Sequence, residues 1–138
     1  TMHHLILSEE LSMAYVKKKL GFNPKLEAAG PEAWLRLQLL KFYLWAPFKF
    51  KAPEMVGESQ LPGFTSFADT RRRWLAIRQV WAEFFEQLPA ELADKAVYRH
   101  PFAGRLSWLG AIGFFSSHFA RHRKQIYRTL GQSRPSAR

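Results

Sequence analysis

Apolar residues recur along this chain at intervals of three and four, which is the spacing of one face of an α-helix. The pattern predicts four helices: about Met2 to Leu20, Pro31 to Trp45, Ser66 or Asp69 to Leu88, and from an N-cap at Ser107 to about Leu130. Glycine follows the first and last of these segments, and proline opens the second, as is typical of helix ends and starts. The chain is therefore predicted to be all-α.

The third and last predicted helices each carry a single apolar stripe, whereas the second is apolar nearly all round. The stripe of the third helix is predicted to be Trp74, Ile77, Trp81, Phe84, Phe85 and Leu88. The stripe of the last helix is predicted to be Leu109, Ile112, Phe115, Phe119, Ile126 and Leu130. The second helix, Pro31 to Trp45, is expected to be buried or to lie against another surface, such as a membrane or a partner chain.

The segment from Ala46 to Phe67 has no helical period and is broken by prolines and glycines. It contains too many aromatic residues for a free linker, so it is expected to pack across the bundle as a crossover. A chain of 138 residues is long enough for one domain and too short for two ordinary ones. We therefore predict a single helical domain over residues 1–130 and a disordered tail over residues 131–138.

The formal net charge is +10, from 21 Lys and Arg against 11 Asp and Glu, and the chain has no cysteine. Without cysteine, disulfides, thiolate-bound zinc and catalytic thiols of the protein itself are excluded, so any metal must use His, Asp or Glu. Arg36 and Lys41 interrupt the longest apolar run, Trp34 to Phe48, so no transmembrane segment is predicted. We predict a cytoplasmic location.

The basic charge raises two alternatives to an enzyme. Basic residues are interleaved with aromatic ones in Arg71 to Trp74 and in Arg121 to Arg128, which suggests nucleic-acid binding. No recognised DNA-binding motif accompanies them, so contact with nucleic acid is the less favoured interpretation. The other alternative is a non-catalytic interaction or membrane-surface protein that works through the helix Trp34 to Trp45.

His118 and His122 carry the most specific chemistry, because a spacing of four places two imidazoles on one helix face. They border the apolar stripe, so they should face the interior. The simpler interpretation of the pair alone is two helix histidines bonded to carbonyls or water. A catalytic metal needs a third ligand. Here His4 lies at a spacing compatible with the buried face, whereas His100, before Pro101, is expected to be a surface or turn residue.

Several motifs resemble the DinB-like (DinB/YfiT) superfamily of candidate metalloenzymes, and they occur in the same order as in that family. They are the segments His3 to Glu9, Phe48 to Glu54, His100 to Gly104, and His118 to His122. Each motif is weak alone, but their order, their spacing and the final His-x-x-x-His are together fairly specific. The YfiT-type bacillithiol transferases are the better-understood branch of this superfamily.

The resemblance implies a bacterial, stress-related protein with a four-helix bundle and a long crossover between main helices 2 and 3. It also implies a divalent metal ion bound by His4, His118 and His122, with His3 and His100 as non-ligands. Family members have a full helix before the His-Leu motif, so the first main helix is expected to be missing and His4 to lie at a fraying end. Three imidazoles suit zinc, nickel, iron or copper, so the metal is not determined.

Two chemistries follow from such a site, a hydrolase in which the ion binds water and an S-transferase in which it binds a low-molecular-weight thiol. Both predict a small-molecule substrate. No acidic residue stands beside the histidine pair as in His-Glu-x-x-His, so a protease is disfavoured. Glu9 is a weaker candidate, as a partner of an imidazole or as a base. A homodimer is also predicted, since helical domains of this size commonly pair.

Overall fold

The computed structural model describes residues 1–22, 24–47, 53–63 and 65–131. These residues form four α-helices: α1 (Met2–Gly21), α2 (Pro31–Trp45), α3 (Phe67–Glu86) and α4 (Trp108–Thr129). Two short strands, β1 (Tyr98–His100) and β2 (Gly104–Leu106), pair as an antiparallel hairpin between α3 and α4. The all-α prediction is confirmed, and the hairpin is an addition to it that the sequence pattern did not indicate.

The starts of the last two helices are fixed by serine side chains. Ser66 Oγ accepts a hydrogen bond from the backbone N–H of Asp69 at 3.0 Å, and Ser107 Oγ accepts one from Gly110 at 3.1 Å. Each bond satisfies a backbone donor that the first turn of a helix leaves free. The predicted N-cap at Ser107 is confirmed, and Ser66 rather than Asp69 caps α3.

The helices pack along α4. α3 runs antiparallel to it, because Trp74 stacks on Phe119 near one end while Phe84 contacts Trp108 at the other. α2 lies close to α4 where α4 has glycines. A Cβ on Gly113 would lie 3.0 Å from Nζ of Lys41, the flexible end of a side chain that can shift, so this glycine gives Lys41 room without fixing the approach of α2.

The buried face of α4 differs from the predicted stripe. The buried residues are Trp108, Gly110, Ala111, Phe114 and Phe115. Three residues of the predicted stripe are exposed, Leu109 by 69%, Ile112 by 41% and Leu130 by 59%. The prediction was wrong for these three, because adjacent apolar residues offer two candidate faces about 100° apart. The α3 stripe does face inward: Ile77 and Trp81 are buried, and the other four predicted residues are half-buried.

Only one side of α2 is buried. Ala33 and Leu37 lie in the core, whereas an apolar row faces outward: Trp34, Leu35, Leu39, Phe42 and Trp45. Full burial of this helix is therefore not what the structure shows. The alternative, that the helix lies against a membrane or a partner chain, stays a prediction.

The connection between α2 and α3 is described in part, over residues 53–63 and from residue 65 on. It holds two short 3-10 helices, Glu54–Val56 and Glu58–Gln60, and the first of them contacts α1. That contact agrees with the predicted crossover. Most of the motif from Phe48 to Glu54 and the predicted disordered tail beyond Gly131 lie outside the described residues. Within the described part of the chain, no helix has the length and apolar character that crossing a membrane requires.

Candidate metal centre

Three histidines from the two ends of the sequence meet in one cluster. His4 lies in the first turn of α1, and His118 and His122 lie one turn apart on α4. Nε2 of His118 is 3.3 Å from Nε2 of His4 and 3.0 Å from Nε2 of His122. One ligand atom from each of the three lies within 4.8 Å of the others, so the group could hold a metal ion.

The outer nitrogens of two of these rings are fixed by acceptors. Nδ1 of His4 donates to the carbonyl oxygen of Val56 at 2.8 Å, and Nδ1 of His122 donates to Oε1 of Gln125 at 2.7 Å. A neutral imidazole with its proton on Nδ1 has a free lone pair on Nε2. Both lone pairs therefore face Nε2 of His118, and a single proton there can satisfy only one of them.

Burial keeps the two α4 histidines neutral. Desolvation, together with smaller effects of the neighbouring rings of His122 and His4, lowers the pKa of His118 to about 3. Desolvation, followed by the effect of His4, lowers the pKa of His122 to about 4, while the bond to Gln125 acts against this. Neutral rings are the form that a metal ion needs, because a protonated imidazole has no lone pair to offer.

The nitrogen spacing fits a divalent ion. Imidazole nitrogens lie about 2.0 to 2.1 Å from zinc, so two of them on a tetrahedral ion are about 3.3 Å apart. The distances of 3.3 and 3.0 Å to His118 are close to that value. The carbonyl and amide oxygens behind His4 and His122 act as the outer partners that orient metal-binding histidines. The residues present therefore fit a three-histidine site with an open position.

The carboxylate of Glu9 pairs with an arginine of α3. Its side chain lies between α1 and α3, where Oε1 pairs with Arg78 at 2.8 Å, and Oε2 is buried without a hydrogen-bond partner in the described part of the chain. Desolvation raises the pKa of Glu9 to about 7, although Arg78 acts to lower it. No hydrogen bond between Glu9 and a ring of the cluster occurs among the described residues. It remains a candidate by position in the helix alone.

The two remaining histidines are engaged elsewhere. Nε2 of His3 is 2.7 Å from Oγ1 of Thr65, which lies just before the start of α3. His100 is 6% exposed, so it is not a surface residue, but it does stand at a turn, which was the other part of the prediction. It ends β1, and its Nδ1 accepts the backbone N–H of Phe102 at 3.1 Å and of Ala103 at 3.0 Å. Both lie outside the three-histidine cluster, as the resemblance implied.

Sequence reasoning missed the residues that orient the candidate ligands. Gln125 follows His122 by three positions on α4, so helical spacing could have indicated their contact. Val56 gave no such signal, because it acts through its backbone carbonyl in a segment without a period.

Together the fold and the site define a helical-bundle protein with a histidine cluster that could hold a metal ion. The family model of the DinB superfamily matches residues 1–126, and the chain belongs to that superfamily. The match extends from the segment of α1 that carries His4 to the part of α4 that carries His118 and His122. No curated protein and no solved structure matches the chain significantly.

The metal-free protein is expected to lose stability as the pH falls from about 7 toward 4. The native pKa values of His118, His122 and His100 are about 3, 4 and 4, below the unfolded value of 6.5. Between these values the unfolded chain binds more protons, so acid favours unfolding. Glu9 acts in the opposite direction, because its native pKa of about 7 exceeds the unfolded value of 4.5.

Urea unfolding at pH 7 and pH 5 measures this loss. The His118→Ala, His122→Ala double variant removes two of the responsible groups, so the free energy of unfolding should fall less between the two pH values. An equal fall in both proteins would show that these rings are not buried as neutral groups.

Proposed function

We propose that this protein is a metal-dependent enzyme whose divalent ion is held by His4, His118 and His122. The observation that carries the proposal is the convergence of three Nε2 atoms, two of them with lone pairs fixed by bonds at Nδ1. Without a cation, this arrangement leaves partly buried acceptors facing each other, which is unfavourable. Membership of the DinB superfamily supports the same interpretation.

A divalent ion at this site would supply a Lewis acid that lowers the pKa of water or of a thiol at its open position. The chain's own contribution is to present three neutral rings, which leave the charge of the ion uncompensated. Among the described residues, the side chains that shift the pKa values of His118 and His122 are the neighbouring histidines, Arg121 and Gln125, and none is a carboxylate. This environment favours an anionic occupant.

Two reaction classes suit these properties, hydrolysis and the S-transfer of a low-molecular-weight thiol. In the second, the thiol must come with the cosubstrate, because the chain has no cysteine. Glu9 enters the proposal as a group that could hold a proton near neutral pH, since its pKa is about 7. Zinc, nickel and iron all accept three imidazoles, so the proposal covers each of them. A small-molecule substrate, a cytoplasmic location and a homodimer remain predictions.

The nucleic-acid alternative receives less support from the placement of its residues. Arg72 and Arg73 pair with Asp69 and Glu10. The ring of Trp74 stacks on Phe119. The guanidinium carbon of Arg78 lies over the same indole, 4.2 Å from the centroid of the Trp74 ring. A ring held in this way is not presented for stacking on a base.

Elemental analysis of protein purified without a metal-affinity step is the test. We expect about one divalent ion per chain, as a single three-ligand site requires, and a loss of that metal in the His118→Ala, His122→Ala variant. His3→Ala is the matched control, because His3 lies one residue from His4 and bonds to Thr65 instead. Folded wild-type protein that takes up no stoichiometric zinc, nickel or iron would refute the proposal.

A further inference from the structure

His100 is a buried imidazole that uses only one of its two nitrogens. Because Nδ1 accepts two backbone N–H groups, it carries no proton, and the neutral ring must hold its proton on Nε2. Among the hydrogen bonds of the described residues, none involves Nε2 of His100. A polar side chain that is 6% exposed and leaves a donor unused is uncommon, and it indicates a partner other than the chain itself.

This donor is open to a small molecule. The buried polar side-chain atoms that lack a partner in the described part of the chain belong to His3, Glu9, Trp81 and Trp108. Nε2 of His100 has no hydrogen bond and is not one of these fully buried atoms, so part of its surface is accessible to solvent. A ligand or a water molecule can therefore reach the N–H group.

The ring also lies beside the metal centre without belonging to it. Its centroid is 4.3 Å from that of Phe114, and Phe114 stacks on His118 at 5.2 Å with an interplanar angle of 15°. Burial is the main cause of the lowered pKa of His118, and His100 has a smaller effect in the same direction. No nitrogen of His100 belongs to the group that could hold the ion. It therefore occupies the position of a neighbour of the site that does not bind the metal.

We propose that Nε2–H of His100 donates a hydrogen bond to the exogenous ligand at the open position of the metal centre, so that His100 selects small anionic ligands with an acceptor atom. The inference rests on the proposed metal site. The hairpin turn holds the ring through two backbone donors, so the donor is oriented before the ligand arrives, as in other preorganised anion sites. Burial lowers the pKa of His100 to about 4, which keeps the ring a neutral donor near pH 7.

The competing interpretation is that His100 only caps the hairpin turn, and two substitutions separate the roles. In His100→Asn, the amide oxygen can replace Nδ1 as acceptor of the Phe102 and Ala103 N–H groups, but nothing replaces the Nε2 donor. In His100→Gln, the amide nitrogen reaches the place of Nε2, but the acceptor is lost. If His100 only caps the turn, the Asn variant should bind the ligand as wild type does. If His100 binds the ligand, the Gln variant should retain more of the wild-type affinity than the Asn variant.

The probe is azide, titrated into cobalt(II)-loaded protein and followed by the visible absorption of the ion. We expect His100→Asn to raise the dissociation constant of azide between about ten- and a hundred-fold, as for the loss of a hydrogen bond to a charged group. His100→Gln should raise it less, and both variants should still bind one cobalt per chain. Wild-type affinity in a cobalt-loaded His100→Asn protein would overturn the inference and leave His100 a turn cap. Wild-type protein that binds no cobalt would instead refute the metal site.

A measurement on the unmutated chain covers the case in which the variants do not fold. In zinc-loaded wild-type protein, the proton on Nε2 of His100 should give its own signal in a long-range proton–nitrogen spectrum. Added azide should move that signal downfield. A signal that is unchanged at saturating azide would overturn the inference.

Discussion

Replacing Trp108 with alanine is expected to lower the free energy of unfolding by about 3 to 5 kcal/mol, as for other fully buried aromatic residues. The indole is 1% exposed and lies against the rings of Phe84 and Phe85, with centroids 5.0 and 5.9 Å away. It joins the end of α3 to the start of α4. Because single domains are stable by only about 5 to 15 kcal/mol, this loss is a large part of the total, and urea unfolding should show a midpoint far below that of the wild-type protein.

Two neighbouring substitutions are the controls. Trp108→Phe keeps an aromatic ring in place and removes an indole N–H that has no partner among the described residues, so it should cost far less than alanine. Leu109→Ala changes the next residue, which is 69% exposed, and should alter stability by no more than about 0.5 kcal/mol. If Leu109→Ala were as damaging as Trp108→Ala, the buried face of α4 would be the one predicted from the sequence and not the one in the structure.

The apolar period of the sequence determines where the helices lie but not which side of each is buried. Intervals of three and four located all four helices, because each has enough apolar residues to cover one side. They did not determine which side of α4 is buried, since Trp108 and Leu109 are both apolar and only the packing against α3 distinguishes them. The hairpin was missed for another reason. Its strands have three residues each and turn at Gly104, whose φ of 68° is accessible to glycine, so the period is too short to recognise.

The candidate site was predictable to a similar extent. The spacing of His118 and His122 gave the pair, and the family resemblance gave His4, from 114 residues away in the chain. The burial of His100 could not be inferred, because the bonds that hold it come from backbone N–H groups of its own turn. The same limit applies to Glu9, whose character depends on Arg78 of another helix.

Replacing Arg78 with methionine is expected to destabilise the protein by about 2 kcal/mol near pH 8, less than the 3 to 5 of a fully buried pair because Arg78 is partly hydrated. Glu9 is 3% exposed, and its Oε1 pairs with Arg78 across the interface of α1 and α3. Without Arg78, the native protein must either bury an unpaired carboxylate or keep Glu9 protonated. Either choice is increasingly costly as the pH rises.

The sign of the pH dependence follows from the pKa of Glu9. Its native value of about 7 exceeds the unfolded value of 4.5, so the stabilising effect of the protonated form is complete below 4.5 and is lost as the pH rises to 7. In Arg78→Met the native pKa should be higher, so the loss continues above pH 7. Urea unfolding at pH 5.5 and pH 8 should therefore show a small difference from wild type at pH 5.5 and a large one at pH 8.

Two further variants make the test specific. Glu9→Gln removes the titrating group, so adding Arg78→Met to it should cost much less than Arg78→Met alone, a non-additivity that reports the pair. Arg73→Met breaks the neighbouring and more exposed pair with Glu10, and it should cost no more than about 1 kcal/mol at either pH. Equal effects of Arg73→Met and Arg78→Met at pH 8 would contradict a buried carboxylate, and Glu9 could then no longer be the group that holds a proton near neutral pH.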